Sequence, residues 1–202
     1  MTYILEPILN RFVDKVDYGP WNTVVGVSGR SLRDSGLTLV QAPPLYTPEE
    51  RRRRDETPWT TVQGVLAPVQ FVVFAISLWL VIAFLATGDG LLAATVSIVI
   101  KTFILYAIMI TGSIWEREVF GRYLFARAFF WEDVVSIGVL VLHTAYLCAL
   151  ALGAEVALQM AIALAAYGSY VVNATQFFLK LRAARLQQGD ADQARVPAGA
   201  GR

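Results

Sequence analysis

The residues able to do chemistry cluster around one interruption in an otherwise apolar sequence. The segment WEREVFGRYLFARAFFWED, Trp115–Asp133, holds the acids Glu116, Glu118, Glu132 and Asp133, three arginines (Arg117, Arg122, Arg127) and a dense set of aromatic side chains. Glu116 closes the apolar run before it, and Glu132 and Asp133 open the run after it. Carboxyls brought together there and partly removed from water hold their protons more tightly, which suits general-acid work. A plainer reading is an interfacial segment with its aromatics at headgroup level and its charges in water.

Three further groups stand inside the apolar runs. Lys101 lies about 15 Å along its run at 1.5 Å per residue, too deep to reach water easily along its stem. Facing the interior, it would bind a carboxylate on a substrate or on another helix. His143 is about 14 Å deep from the opposite end. Glu132, Ser136, His143 and Tyr146 are spaced i, i+4, i+11 and i+14, one stripe of a single helix. A second stripe is Ser169, Asn173, Gln176 and Lys180, and Gln63 and Gln70 stand seven apart on another segment. Each polar residue alone reads as an interhelical hydrogen bond. Together they suggest a cavity open on one side.

The elements that position these groups follow from hydropathy. Of the 202 residues, 56% are hydrophobic and 16% charged, against about 25% charged in soluble domains. Between Thr57 and Trp115 the only charges are Asp89 and Lys101, and between Val134 and Leu179 the only one is Glu155. About 20 apolar residues cross a bilayer, and four stretches qualify: Val62–Thr87, Leu91–Ile114, Val134–Gly153 and Val156–Leu179. The breaks Gly88-Asp89-Gly90 and Gly153-Ala154-Glu155 allow only tight turns. Lys and Arg residues fall before the first span, in the middle segment and after the fourth, with Lys101 the single one inside a span. Positive residues mark the cytoplasmic side. The expectation is an all-α membrane protein: four transmembrane helices as two antiparallel hairpins, both termini cytoplasmic, with an interfacial aromatic and charged segment between spans two and three.

Residues 1–43 read as a weakly structured N-terminal extension, with a short amphipathic helix at Leu5–Val16 and no signal peptide, since Glu6, Pro7, Asn10 and Arg11 interrupt the first apolar stretch. Thr47 before Pro48 looks like a helix start. The tail 188–202 is rich in Gly, Ala and polar residues and is expected to lack structure. One cysteine and one histidine exclude disulfide frameworks and most metal clusters, and a net charge of +1 gives no case for a nucleic-acid partner. No dinucleotide or phosphate-loop motif is present, so no cofactor is expected.

Four segments carry a resemblance: PLYTPEERRRRDETPWTTVQGVLAPVQF (44–71), KTFILYAIMITGSIWEREVFGRYLFARAFFWEDVVS (101–136), HTAY (143–146) and YVVNATQFFLKLRAARLQ (170–187). They resemble the 3-vinyl bacteriochlorophyllide hydratase family of bacteriochlorophyll synthesis, over a domain of residues 44–187. The resemblance implies that water adds to the vinyl group of a magnesium tetrapyrrole, chlorophyllide or bacteriochlorophyllide, giving a 1-hydroxyethyl group. It further implies an intracytoplasmic bacterial membrane and the company of other pigment-biosynthesis enzymes; the polar groups, most of them in the cytoplasmic half, put the expected active site on the cytoplasmic side. No residue roles come with it. From the residues, Glu116 or Glu132 would be the acid, with Asp133 beside them. The other carboxylate or His143 would hold the water, unless His143 is the axial ligand to the substrate magnesium. Lys101 or Arg122 would meet the substrate propionate; Tyr106, Phe130, Trp131 and Tyr146 would stack on the ring; Asn173 and Gln176 would line the pocket. The alternative is a non-catalytic pigment-binding or assembly subunit of a photosynthetic membrane complex.

Overall fold

The computed structural model describes residues 45–195, and every regular element among them is a helix. The order is α1 (Pro48–Glu56), α2 (Pro58–Thr87), α3 (Leu91–Phe120), α4 (Phe130–Ala151) and α5 (Val156–Arg195). The helix expected at Leu5–Val16 lies outside the described residues. The chain divides into one unit of Pro48–Asn173 and another of Met1–Thr47 with Ala174–Arg202. The candidate site belongs to the first.

Capping residues set the helix boundaries. Thr57 caps α2 by accepting the Trp59 N–H at 3.4 Å, and Pro58 opens the helix where its missing N–H costs nothing. Gly88 ends α2 at φ 79° and Gly121 ends α3 at φ 78°, left-handed conformations that favour glycine. The helices therefore outrun the expected spans. α2 starts before Val62, α3 continues through Trp115–Phe120, and α4 begins at Phe130 rather than Val134. Charge bounded the expected spans, whereas buried acids carry the real helices further. In the second unit, α5 continues to Arg195, so residues 188–195 of the tail expected to lack structure are helical. The alanines, glutamines and arginine there are good helix formers, and Pro197 comes only after them.

Four helices, Pro58–Thr87, Leu91–Phe120, Phe130–Ala151 and Val156–Arg182, are long and apolar enough to cross a membrane. The exposed side chains on them include Val65, Phe71, Trp79, Phe103, Ile110 and Val141. The inward stripes are mixed: Gln70, Phe74, Ser77 and Val81 on α2; Ala94, Ile98, Lys101, Thr102 and Leu105 on α3; Ser136, Val139, His143 and Tyr146 on α4. Apolar faces outward and polar groups inward is the arrangement a lipid solvent selects.

Hydrogen bonds fix the register. Between α2 and α3, Trp115 Nε1 donates to Thr60 Oγ1 at 2.9 Å, Gln63 Nε2 donates to Thr111 Oγ1 at 2.7 Å, and the hydroxyls of Ser77 and Ser97 are 2.8 Å apart. Between α4 and α5, Asn173 Nδ2 donates to Ser136 Oγ at 2.9 Å. Phe74 of α2 packs on Tyr170 and Tyr167 of α5, with ring centroids 4.7 and 5.4 Å apart. Interhelical bonds of this kind contribute about 0.6–2 kcal/mol each.

Candidate active site

The loop between α3 and α4 covers residues 121–129 and is held by carboxylates from both sides. Glu116, one turn before the end of α3, accepts the Ala126 N–H at 3.2 Å through Oε2. Asp133, in the first turn of α4, accepts the Phe125 N–H at 2.6 Å through Oδ2. Phe125 adopts φ 60°, a conformation that costs a side-chain-bearing residue about 1–2 kcal/mol. Glu116, Glu132 and Asp133 are all buried. Glu132 and Asp133 also sit where the α4 dipole favours negative charge. Glu118, on the outer side of α3, accepts a hydrogen bond from Thr57 Oγ1 and so ties α3 to the start of α2.

Two aromatic groups belong to the same segment. Trp115, Phe120 and Phe129 pack together with centroid distances of 5.6–5.8 Å, and Phe129 is buried. Phe130 stands 5.7 Å from Phe125 and 5.5 Å from Trp131. Phe125 and Tyr123 are exposed, so this second group offers flat apolar surface at the loop. The Arg117 guanidinium lies over the Tyr123 ring, 4.7 Å from its centroid, while Arg122 is exposed.

Deeper in the bundle, Lys101 and His143 are fully buried and bonded to each other, Nζ to Nε2, at 2.7 Å. His143 Nδ1 is 2.8 Å from the Val139 carbonyl. A carbonyl only accepts, so Nδ1 carries the hydrogen; an ammonium only donates, so Nε2 takes the lysine bond on its lone pair. Lys101 Nζ also lies over the rings of Tyr170, Tyr167 and Phe74, at 4.3, 5.3 and 5.8 Å from their centroids, a cation–π enclosure. Among the described residues no carboxylate lies within ion-pair distance of Lys101. The expected carboxylate from another helix is replaced by an imidazole. As bonded here, both ring nitrogens of His143 are used, so it would ligate magnesium only after releasing Lys101.

The remaining expected residues are scattered over this framework. Tyr106 is half-buried, and its hydroxyl is 2.8 Å from Thr144 Oγ1. Tyr146 is fully buried on the His143 face of α4. Asn173 is spent on Ser136, so it ties helices together. Gln176 belongs to the second unit. Sequence alone does not show the enclosure of Lys101 by Phe74, Tyr167 and Tyr170, nor the cluster of Ser77, Ser97 and Tyr167. The spacing of Phe74 and Ser77 at four and seven residues from Gln70 is the signal that places them on the inward face.

The sequence model of the family described as 2-vinyl bacteriochlorophyllide hydratase (BCHF) matches residues 46–183. A relative from Cereibacter sphaeroides named 2-vinyl bacteriochlorophyllide hydratase is 68% identical over 142 residues, which is 70% of this chain and 89% of the relative. One of the same name from Rhodobacter capsulatus is 64% identical over 148 residues, 73% of this chain and 86% of the relative. No solved structure matches.

Proposed function

The chain belongs to the 2-vinyl bacteriochlorophyllide hydratase family, and from that premise we propose that it is a hydro-lyase acting in bacteriochlorophyll biosynthesis. It adds water across the vinyl group, position 2 in the family's naming, of a chlorophyllide- or bacteriochlorophyllide-type macrocycle. The observation that carries this reading is the extent of the match, which spans all four apolar helices and the three buried acids Glu116, Glu132 and Asp133.

The reaction needs a proton on the terminal vinyl carbon and water oxygen on the carbon next to the ring. The positive charge that develops between those steps is spread into the macrocycle. The attacking water then loses a proton, which restores the acid, so the reaction is balanced by water alone. Glu116 or Glu132 is the acid, with Asp133 holding the loop between them. A carboxyl that accepts an N–H through one oxygen can carry its proton on the other, so the Glu116–Ala126 bond is compatible with this role. The flat macrocycle lies on the aromatic surface of Phe130 and Trp131, beside Tyr123 and Phe125. Arg122, exposed on the loop, meets the propionate more readily than the enclosed Lys101.

The bundle stands in the bacterial photosynthetic membrane as two antiparallel hairpins. Both chain ends and the 121–129 loop are on the cytoplasmic side, as the positions of the Lys and Arg residues support. The chemistry is then at the cytoplasmic surface. Incubating the membrane-embedded protein with vinyl substrate in water labelled with heavy oxygen tests the function. Label in the pigment is the expected result; binding without a mass change would make the chain a pigment carrier or assembly subunit instead.

A further inference from the structure

Gln70 stands on the inward stripe of α2 and is almost wholly buried at 2% exposure. Neither its Oε1 nor its Nε2 has a hydrogen-bond partner among the described residues. A primary amide enclosed by protein needs both a donor and an acceptor, and an apolar surround penalises it heavily without them. A second buried group also has unused capacity. Lys101 has three N–H donors, and its one hydrogen-bond partner among the described residues is His143.

The register brings the two together. Phe74 packs on Tyr170, so Gln70, one turn earlier on α2, is level with Asn173, about one turn later on α5. Asn173 is bonded to Ser136 of α4. Lys101 lies over Tyr170 and beside Phe74, and so occupies the next level along the bundle axis. One helical turn is about 5.4 Å, which is close to the span of two hydrogen bonds meeting at a single oxygen of about 2.7–2.9 Å each.

We propose that Gln70 and Lys101 form a binding site for internal water, which bridges the Gln70 amide to the Lys101 ammonium. Water is the ligand whose chemistry fits: it donates to Oε1 and accepts from Nζ, and a second molecule accepts from Nε2. The site solvates a lysine that has an imidazole and three aromatic rings around it but no carboxylate. The site stands apart from the hydratase reading and would be present whichever macrocycle is bound.

Water-edited solid-state NMR on the full chain in lipid bilayers tests this, with 15N in glutamine side chains and lysine. The lysines are Lys15, Lys101 and Lys180, so the Nζ signals are few. Gln70→Leu and Lys101→Met assign the two resonances. Expected is rapid magnetisation transfer from water to both Gln70 Nε2 and Lys101 Nζ, with the Lys101 transfer lost in Gln70→Leu. Transfer to neither group in the wild-type protein overturns the proposal. So does transfer to Lys101 that is unchanged in Gln70→Leu, since the water there would not depend on the amide. Where a variant fails to fold, sequential 13C–15N correlations in the wild-type protein assign the two resonances, and its water transfer alone decides the matter.

Discussion

Lys101 Nζ and His143 Nε2 lie 2.7 Å apart at the centre of the bundle, 42 residues apart in sequence. The bond makes His143 an acceptor toward Lys101 and a donor toward Val139, fixing one tautomer of the ring.

His143 is the sole histidine, so its imidazole nitrogens can be read by 15N NMR without assignment. The expected spectrum shows a protonated Nδ1 and an unprotonated Nε2. Lys101→Met should move the Nε2 signal while leaving Nδ1 on Val139. A proton found on Nε2 in the wild-type protein would refute the tautomer. A change at Nε2 when pigment binds would show that magnesium has displaced the lysine.

The two halves of the pair should differ in stability. His143→Ala leaves an enclosed cation without its acceptor, a loss of about 3–5 kcal/mol. Lys101→Met removes the charge and leaves only a lone pair unsatisfied, costing about 1–3 kcal/mol. Unfolding midpoints in micelles should place His143→Ala below Lys101→Met. The reverse order would mean that the cation is not held chiefly by the histidine.

Replacing the buried acids separates catalysis from loop support. Glu116→Gln keeps a carbonyl oxygen for the Ala126 N–H, so the loop survives while the acidic proton is lost. If Glu116 is the acid, kcat should fall about 10²–10⁴-fold with stability nearly unchanged. The same reasoning applies to Glu132→Gln. Normal turnover in both variants would rule out this pair. Asp133→Asn should retain the bond to Phe125, and Asp133→Ala should release it, which loop proteolysis would detect.

Phe125 has a strained backbone and an exposed ring, and two substitutions divide those properties. Phe125→Gly and Phe125→Ala both remove the ring, so both should raise KM. Only glycine relieves the φ of 60°, and it should be the more stable of the two by about 1 kcal/mol. Equal stability would indicate that the loop relaxes without help.

Outside the membrane-spanning helices, Glu49 of α1 titrates below the ordinary 4.5, held down by its hydrogen bond and charge interaction with Arg52 and then by Arg53. A depressed carboxyl stabilises the fold above its unfolded value and loses that contribution as pH falls through the folded value. α1 should therefore begin to fray below about pH 4.5, and salt should weaken the effect because the pair is exposed. Amide exchange over Pro48–Glu56 against pH would report it, and Glu49→Gln should weaken the dependence, leaving the share carried by Asp55 and Glu56.

How much of this was legible beforehand varies by residue. The depth of Lys101 and His143, the acids at the ends of the two middle helices, and the four apolar stretches all follow from hydropathy and helical period. Those signals lie within a few turns of one helix. The family was legible too, through segments spread over all four spans. The partner of Lys101 was not, because it depends on how α3 and α4 are rotated and crossed, which no local pattern encodes. The same is true of the Asp133 bond to Phe125: a nine-residue loop can fold back on its flanking helices in many ways, and tertiary contacts choose one. Gln70 shows the difference most plainly. Its period-seven spacing with Gln63 placed it on a helix face, but only the packing of the helices decided that Gln63 would find Thr111 while Gln70 would be enclosed in the interior.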